Sequence, residues 1–293
     1  MLGVRARLHA LEQQHPEWRS WLVLCEETLR ALDDDIWHTM DMRPRADQPP
    51  HVPLLDGLAL IVDGGAVRRW IDHLNRRTMT SLTGGDSRFA GDIRQIDACV
   101  LLVAAARQDL AWLQAQADSM NVDRRALQAL AQLAVVPLLQ ECRRRLADRR
   151  SVPWTQGYCP FCGAWPVVAE VRGVERTRHL RCGRCGGEWH TDWLRCPFCG
   201  ETAHERLAFL ILEEKEETHS IATCSGCQGY IKTLTTLQGA APQSVMLDDL
   251  ATVELDVVAL GRGYVRPVRP GYCVDLNITE RTRSWSSLLR RSR

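Results

Sequence analysis

The sequence predicts an α+β protein in two unlike parts. An N-terminal helical bundle domain occupies the first half, and two tandem four-cysteine metal modules of zinc-ribbon-like character follow it. Three observations point to this. Apolar residues recur at helical spacing through the first half. The pattern changes at Ser151-Val152-Pro153 into short strand-like runs. Four Cys-x-x-Cys pairs stand among those runs.

In chain order, His15-Pro16-Glu17-Trp18 forms an opening turn. Trp21, Leu22, Leu24, Cys25, Leu29 and Leu32 then keep a helical period. A proline-rich break covers 44–53, and 66–74 reads as a short helix carrying Val67, Trp70, Ile71 and Leu74. The segment 88–117 reads as one long helix with a stripe of Ile93, Ile96, Val100, Val103, Leu110 and Leu113. Met120-Asn121-Val122-Asp123 ends it, Asp123 caps the next helix, and that helix runs to about 149 with a bend at Pro137. Strands are expected at 166–171, 206–212, 219–222 and 230–237, with the acidic run 213–217 as a solvated hairpin tip. A helix at 247–260 and an extended end follow, and the basic stretch from Arg281 reads as a mobile tail. The expected domains are 1–150 (helical), 151–194 (first module), 195–240 (second module) and 241–293 (C-terminal helix and tail).

Composition narrows the function. The 293 residues are 45% hydrophobic and 25% charged, which removes disordered and fibrous classes. Thirty-seven basic side chains against thirty-six acidic ones leave +1, so net charge supplies no long-range pull toward nucleic acid or an anionic membrane. The most apolar run, 98–106, is nine residues against the roughly 20 that span a bilayer. The expected location is the cytoplasm, where thiols stay reduced and clustered cysteines hold metal rather than disulfides.

The pairs are Cys159-Pro-Phe-Cys162, Cys182-Gly-Arg-Cys185, Cys196-Pro-Phe-Cys199 and Cys224-Ser-Gly-Cys227. Two intervening residues allow a tight turn to aim both thiolates at one ion, and two such turns complete a tetrahedron of sulfurs at about 2.3 Å from zinc. Gly163, Gly186 and Gly200 follow three of the pairs, where a left-handed backbone is commonly required. Gln228 holds that place in the fourth, which predicts a looser turn there. Sequential pairing gives one site of Cys159, Cys162, Cys182 and Cys185 and another of Cys196, Cys199, Cys224 and Cys227. It is preferred because the ten residues between Cys185 and Cys196 suit a linker; a cross-braced arrangement is the alternative. Spacing alone leaves zinc, a single iron or an iron–sulfur cluster open.

No catalytic residue is expected. A four-cysteine site is coordinatively closed, whereas a catalytic zinc keeps a position free. His179, His190, His204 and His219 are not singled out by spacing, and no nucleophile elbow or phosphate-cradling loop is present. Cys25, Cys99, Cys142 and Cys273 stand alone, Cys25 and Cys99 on apolar stripes as small buried hydrophobes. Trp154, Trp165, Trp189 and Trp193 are expected to supply core to modules that otherwise have little.

These residues resemble the formate dehydrogenase accessory protein FdhE family. The resemblance rests on the four pairs in order, on Cys182-Gly-Arg-Cys-Gly-Gly-Glu-Trp189, on Leu194-Arg-Cys-Pro-Phe-Cys-Gly200 and on Cys224-Ser-Gly-Cys-Gln-Gly-Tyr-Ile-Lys232. It continues into 248–256 and Gly263-Tyr264, while Pro270-Gly271-Tyr272-Cys273 departs from the family pattern. The resemblance implies tandem rubredoxin-like modules and two metal ions, iron favoured over zinc. It also implies a non-enzymatic role: binding the catalytic subunit of a respiratory formate dehydrogenase in the cytoplasm and supporting its maturation before export. Nucleic acid and membrane are not expected partners; self-association as a homodimer is left open. Two other classes stay in view, an iron-dependent redox relay and a zinc-ribbon nucleic-acid binder. For the second, the arginines at 143–145 and 149–150 are explained by a helix C-terminus.

Overall fold

The structure is a computed structural model and describes residues 2–82, 92–149, 153–211 and 218–281. The acidic run 213–217 and the tail beyond Arg281 lie outside the described residues.

The first half is built from α1 (Leu2–Gln14), α2 (Arg19–Arg30), α3 (Asp35–His38), α4 (Gly64–Leu82), α5 (Ala98–Arg107), α6 (Leu110–Ser119), α7 (Arg124–Ala134) and α8 (Val136–Leu146). Aspartates begin several of them. The Asp34, Asp97, Asp109 and Asp123 carboxylates accept the N–H of Ile36, Val100, Trp112 and Ala126, satisfying donors that the first helical turn leaves free. α9 (Val245–Ala251) and α10 (Val253–Gly261) come late in the chain. The strands are β1 (Asp41–Arg43), β2 (Leu58–Val62), β3 (Val168–Arg172), β4 (Thr177–Arg181), β5 (Glu188–His190), β6 (Leu207–Ile211), β7 (His219–Cys224), β8 (Gly229–Thr236) and β9 (Leu276–Glu280).

Several expectations are corrected here. The single helix at 88–117 is instead a 3-10 turn at Ile93–Gln95 followed by α5 and α6. Gln108 closes α5 in the left-handed conformation (φ +57°) and Asp109 caps α6, so the helical phase is reset between them. Within α5 the buried face is that of Cys99, Leu101, Leu102, Ala105 and Ala106, so Val100, on the expected stripe, is 47% exposed. Pro137 does not bend a continuous helix; it sits in the first turn of α8, where a missing N–H goes unnoticed. The helix expected at 247–260 breaks at Thr252, whose hydroxyl donates back to the Asp248 carbonyl at 2.8 Å.

The helical half also holds a sheet, ordered β1-β2-β9. β2 runs antiparallel to β1 and parallel to β9, with Leu58 opposite Leu276 and Val62 opposite Glu280. The segment after 270, expected to be an extended end, therefore returns to the N-terminal half as a strand that buries Leu276 and Ile278. The second sheet has six strands in the order β5-β4-β3-β8-β7-β6. Each cysteine module contributes one three-stranded half, and the halves join where β3 runs parallel to β8, Val168 facing Lys232. The modules are thus fused through their backbones rather than strung on a linker.

One continuous apolar core runs from Leu24, Ile71, Leu102 and Leu130 in the helices to Cys159, Cys162, Cys182, Cys185 and Trp189 in the first module. A smaller cluster packs α1 and α2 on Leu247 of α9, and another seats Leu255 and Ala259 of α10 on Ile221 and Tyr230.

Candidate metal centres

Each cysteine pair sits on a turn closed by its own backbone. Cys159 N–H donates to Ala164 O at 2.8 Å, and Gly163 N–H donates to Cys159 O at 3.0 Å. The turns at Cys182 and Cys196 repeat this, through Gly187 O and Glu201 O at 2.9 Å and through Gly186 and Gly200 N–H at 3.0 Å. Their glycines have φ of +73°, +70° and +77°, the left-handed region that costs glycine little. The fourth turn is not looser: Gln228 adopts φ +57°, and its side-chain amide donates to Ser225 O at 3.0 Å.

The turns bring the eight sulfurs into two groups, Cys159, Cys162, Cys182 and Cys185 in one, Cys196, Cys199, Cys224 and Cys227 in the other. Within each group all Sγ atoms lie within 4.8 Å of one another. Cys159 to Cys185 and Cys162 to Cys182 span 3.5 Å; Cys196 to Cys227 and Cys199 to Cys224 span 3.7 Å. Four sulfurs at about 2.3 Å from a central ion would be about 3.8 Å apart, whereas a disulfide would bring a pair to about 2 Å. The residues therefore fit one tetrahedral ion per group.

The surroundings of the two groups differ. All four cysteines of the first are buried, and neighbouring segments hold its turns in place. Leu54 and Leu55 N–H donate to Pro160 and Phe161 O at 2.9 Å, inside the Cys159–Cys162 turn. Tyr272 N–H donates to Gly163 O at 2.9 Å, and Arg184 donates to the Ala105 and Ala106 carbonyls at the end of α5. In the second group Cys199 is exposed and Cys227 half-buried. A side chain added at Gly200 would meet nothing within 4 Å.

Burial governs the thiols in the metal-free state. It drives Cys159 and Cys185 well above the usual thiol range, while hydrogen bonds from Cys159, Cys162 and Cys185 lower Cys182. In the second group burial raises Cys196 and pushes Cys227 up to about 11. Burial also acts against Cys224, but the N–H groups of Cys227 and Gly226 outweigh it and lower that thiol. Of the lone thiols, Cys25, Cys99 and Cys142 are buried and Cys273 is exposed; burial pushes Cys25 up to about 12 and Cys99 up to about 11.

Two buried charged sites in the modules, Arg178 and Lys232, carry no sequence motif. Arg178 is 2% exposed, and one of its amino groups donates to the carbonyls of Asp192, Trp193 and Arg195 at 3.1–3.2 Å. It therefore holds the stretch between the modules and sets a positive charge near Cys196. Burial lowers this guanidinium to about 10, the Cys196 sulfur opposing. Lys232, fully buried in β8, donates to the Asp249 carboxylate at 2.7 Å, the Asp256 carboxylate at 2.8 Å and the Asp249 carbonyl. Arg266 bonds both carboxylates at 2.7 Å, and the Tyr230 hydroxyl donates to Asp256 at 2.7 Å. Lys232 is one of two lysines in an arginine-rich chain, and that rarity was the available signal. A compact ammonium fits among acceptors converging on a point, where a planar guanidinium does not.

The other marked residues are scattered. Trp154 and Trp189 are buried, Trp165 lies edge-on to Phe198 at 5.4 Å, and Trp193 is 37% exposed beside Phe209. His179 and His190 face each other across β4 and β5 at 5.8 Å, and no histidine joins either sulfur group among the described residues. A cleft of about 460 Å³ opens between the helical half, both modules and the C-terminal segment, with Trp165, Phe198, Arg184 and Asp249 in its walls. None of the eight grouped cysteines lines it. Among the described residues no helix is long and apolar enough to cross a membrane.

Comparison with known proteins gives a consistent family. Residues 158–192 match the family model described as FdhE, central domain, and 194–269 match FdhE, C-terminal domain. Protein FdhE of Escherichia coli O127:H6 is 31% identical over 112 residues, covering 37% of this chain and 35% of that protein. A Protein FdhE homolog of Edwardsiella ictaluri is 33% identical over 110 residues, again 37% and 35%. The matched stretch is thus about a third of the length of these curated relatives. The crystal structure of the FdhE protein from Pseudomonas aeruginosa shares the fold with a TM-score of 0.53 at 24% identity, over 92% of this chain and 93% of that one.

Proposed function

We propose that this chain, whose residues 158–192 and 194–269 match the FdhE central and C-terminal family models, works as a non-enzymatic accessory factor of that family. In this reading it binds the catalytic subunit of a respiratory formate dehydrogenase in the cytoplasm and supports that subunit's maturation before export. Cys159, Cys162, Cys182 and Cys185 hold one metal ion and Cys196, Cys199, Cys224 and Cys227 a second, with iron favoured and zinc the alternative. The ions supply folding energy to turns that have little core of their own.

The observation that carries this reading is the closure of both sites. Four sulfurs from two backbone turns would complete the tetrahedron around each ion, without the open position that a catalytic zinc keeps for water or substrate. Such sites stiffen a surface. The cleft between the domains, with aromatic and charged walls, offers that surface to a segment of the client.

Affinity capture tests the proposal. Full-length tagged chain, expressed in cells that make a respiratory formate dehydrogenase, is expected to bring down its catalytic subunit. Cells lacking the chain should lose formate dehydrogenase activity, and the wild-type chain should restore it where Cys196→Ser does not. Absence of the catalytic subunit from the captured material, together with normal activity in the deleted cells, would overturn it.

A further inference from the structure

We infer that the two metal positions are unequal in kind: the first quartet is a fixed staple, and the second is a solvent-facing exchange site at which a soft-ligand metal, iron(II) or zinc(II), enters and leaves. The inference rests on the metal-binding reading above and goes beyond it.

The contrast lies in what surrounds the sulfurs. Cys159, Cys162, Cys182 and Cys185 are all fully buried, within the core that also contains the helices. Their turns are hydrogen-bonded from three remote parts of the chain: Leu54 and Leu55, the end of α5 through Arg184, and Tyr272. To open this quartet, at least one of those attachments must be released. At the second quartet Cys199 is exposed, and the space beside Gly200 is empty to 4 Å. The hydrogen bonds of the Cys196–Cys199 turn come from its own residues and Glu201, while the Cys224–Cys227 turn is anchored by Val265 N–H on Gln228 O at 2.8 Å and Ser225 N–H on Arg206 O at 2.9 Å. The exposed Cys199 side therefore gives a donor from solvent access to the second position while the Cys224–Cys227 turn keeps its anchors.

Exchange there is ligand substitution. Cys199, the exposed ligand, would be the sulfur displaced by an incoming donor, and its freed thiolate would take up a proton from water with no change of oxidation state. Access and the surrounding shell control such steps. On the inner side, buried Arg178 donates to the Arg195 carbonyl, adjacent to Cys196, at 3.1 Å.

The test uses the full-length chain loaded with zinc under anaerobic reducing conditions and challenged with excess chromogenic chelator. Two equivalents should leave in two phases of one equivalent each, with rates about tenfold or more apart. Stopping the reaction between the phases and alkylating with iodoacetamide should label Cys196, Cys199, Cys224 and Cys227 and spare the other four. Cys199→Ser should abolish the fast equivalent and leave the slow one at its wild-type rate; Cys227→Ser serves if the first variant does not fold. Two bound equivalents released at a single rate, or early labelling of the first quartet, would overturn the inference while leaving the metal-binding reading intact. A chain that binds no ion would remove both.

Discussion

Gln228 adopts at the fourth cysteine turn the left-handed backbone that Gly200 adopts at the third, with φ of +57° against +77°. A residue with a β-carbon occupies a conformation that costs it about 1–2 kcal/mol. The cysteine spacing demands the turn, and the chain accepts the strain.

That equivalence predicts a graded series. Gly200→Ala, with open space around it, should cost about 1–2 kcal/mol from the backbone alone. Gly163→Ala and Gly186→Ala should cost more, because the new methyl would stand 2.5 Å from the carbonyl oxygens of Tyr272 and Pro242. Gln228→Gly should gain up to about 1 kcal/mol, since glycine relieves the strain but loses more freedom on folding. Urea unfolding midpoints check the order.

Lys232→Met should destabilise the protein by up to about 3 kcal/mol, below the cost of a fully stripped buried pair because Arg266 still bonds both carboxylates. Lys232→Arg should not rescue it. Adding Asp256→Asn to Lys232→Met should recover part of the loss, and a double-mutant cycle from denaturation measures how much.

Acid should weaken the same cluster. Burial alone would raise Asp249, but the Arg266 and Lys232 charges outweigh it and hold the carboxyl below its ordinary value. A carboxyl lowered in the folded state contributes stability above the unfolded pKa of about 3.9 and loses it as pH falls through the folded value. Unfolding free energy should therefore drop below about pH 4. Asp249→Asn should flatten that slope while lowering stability at neutral pH. Guanidinium titrations at several pH values decide it.

Loss of a ligand should spread differently from the two quartets. Cys162→Ser should raise amide exchange in α5, α7 and the 54–55 segment as well as in its own module, since that cysteine belongs to the common core. Cys199→Ser should raise exchange in the second module and leave those helices protected. Hydrogen exchange read by mass spectrometry separates the two patterns.

The sulfur groups were legible because the relevant forces are local: two residues between cysteines and a glycine after them fix a turn whatever surrounds it. Helix starts were legible where an aspartate caps them, as at Asp123. The break at Gln108 was hidden, because no glycine marks its left-handed residue. β4 was hidden by its charges. Arg178 and Arg181 are 2% and 1% exposed, Arg181 pairing with the buried Glu170 at 2.5 Å, so a strand with no apolar alternation is nonetheless interior. β2, the apolar run Leu58–Val62, reads equally as strand or buried helix, and its parallel partner lies near the other end of the chain.

That distant partner has a consequence for synthesis. β9 leaves the ribosome more than two hundred residues after β2, which at about 5–20 residues per second is a delay on the order of ten to forty seconds. Throughout that interval one edge of β2 lacks its partner, and for the last hundred and more residues of it the helices up to Leu146 are already complete in sequence. The nascent N-terminal half must wait, with a row of unpaired amides and carbonyls facing outward, for the last strand to close the seam.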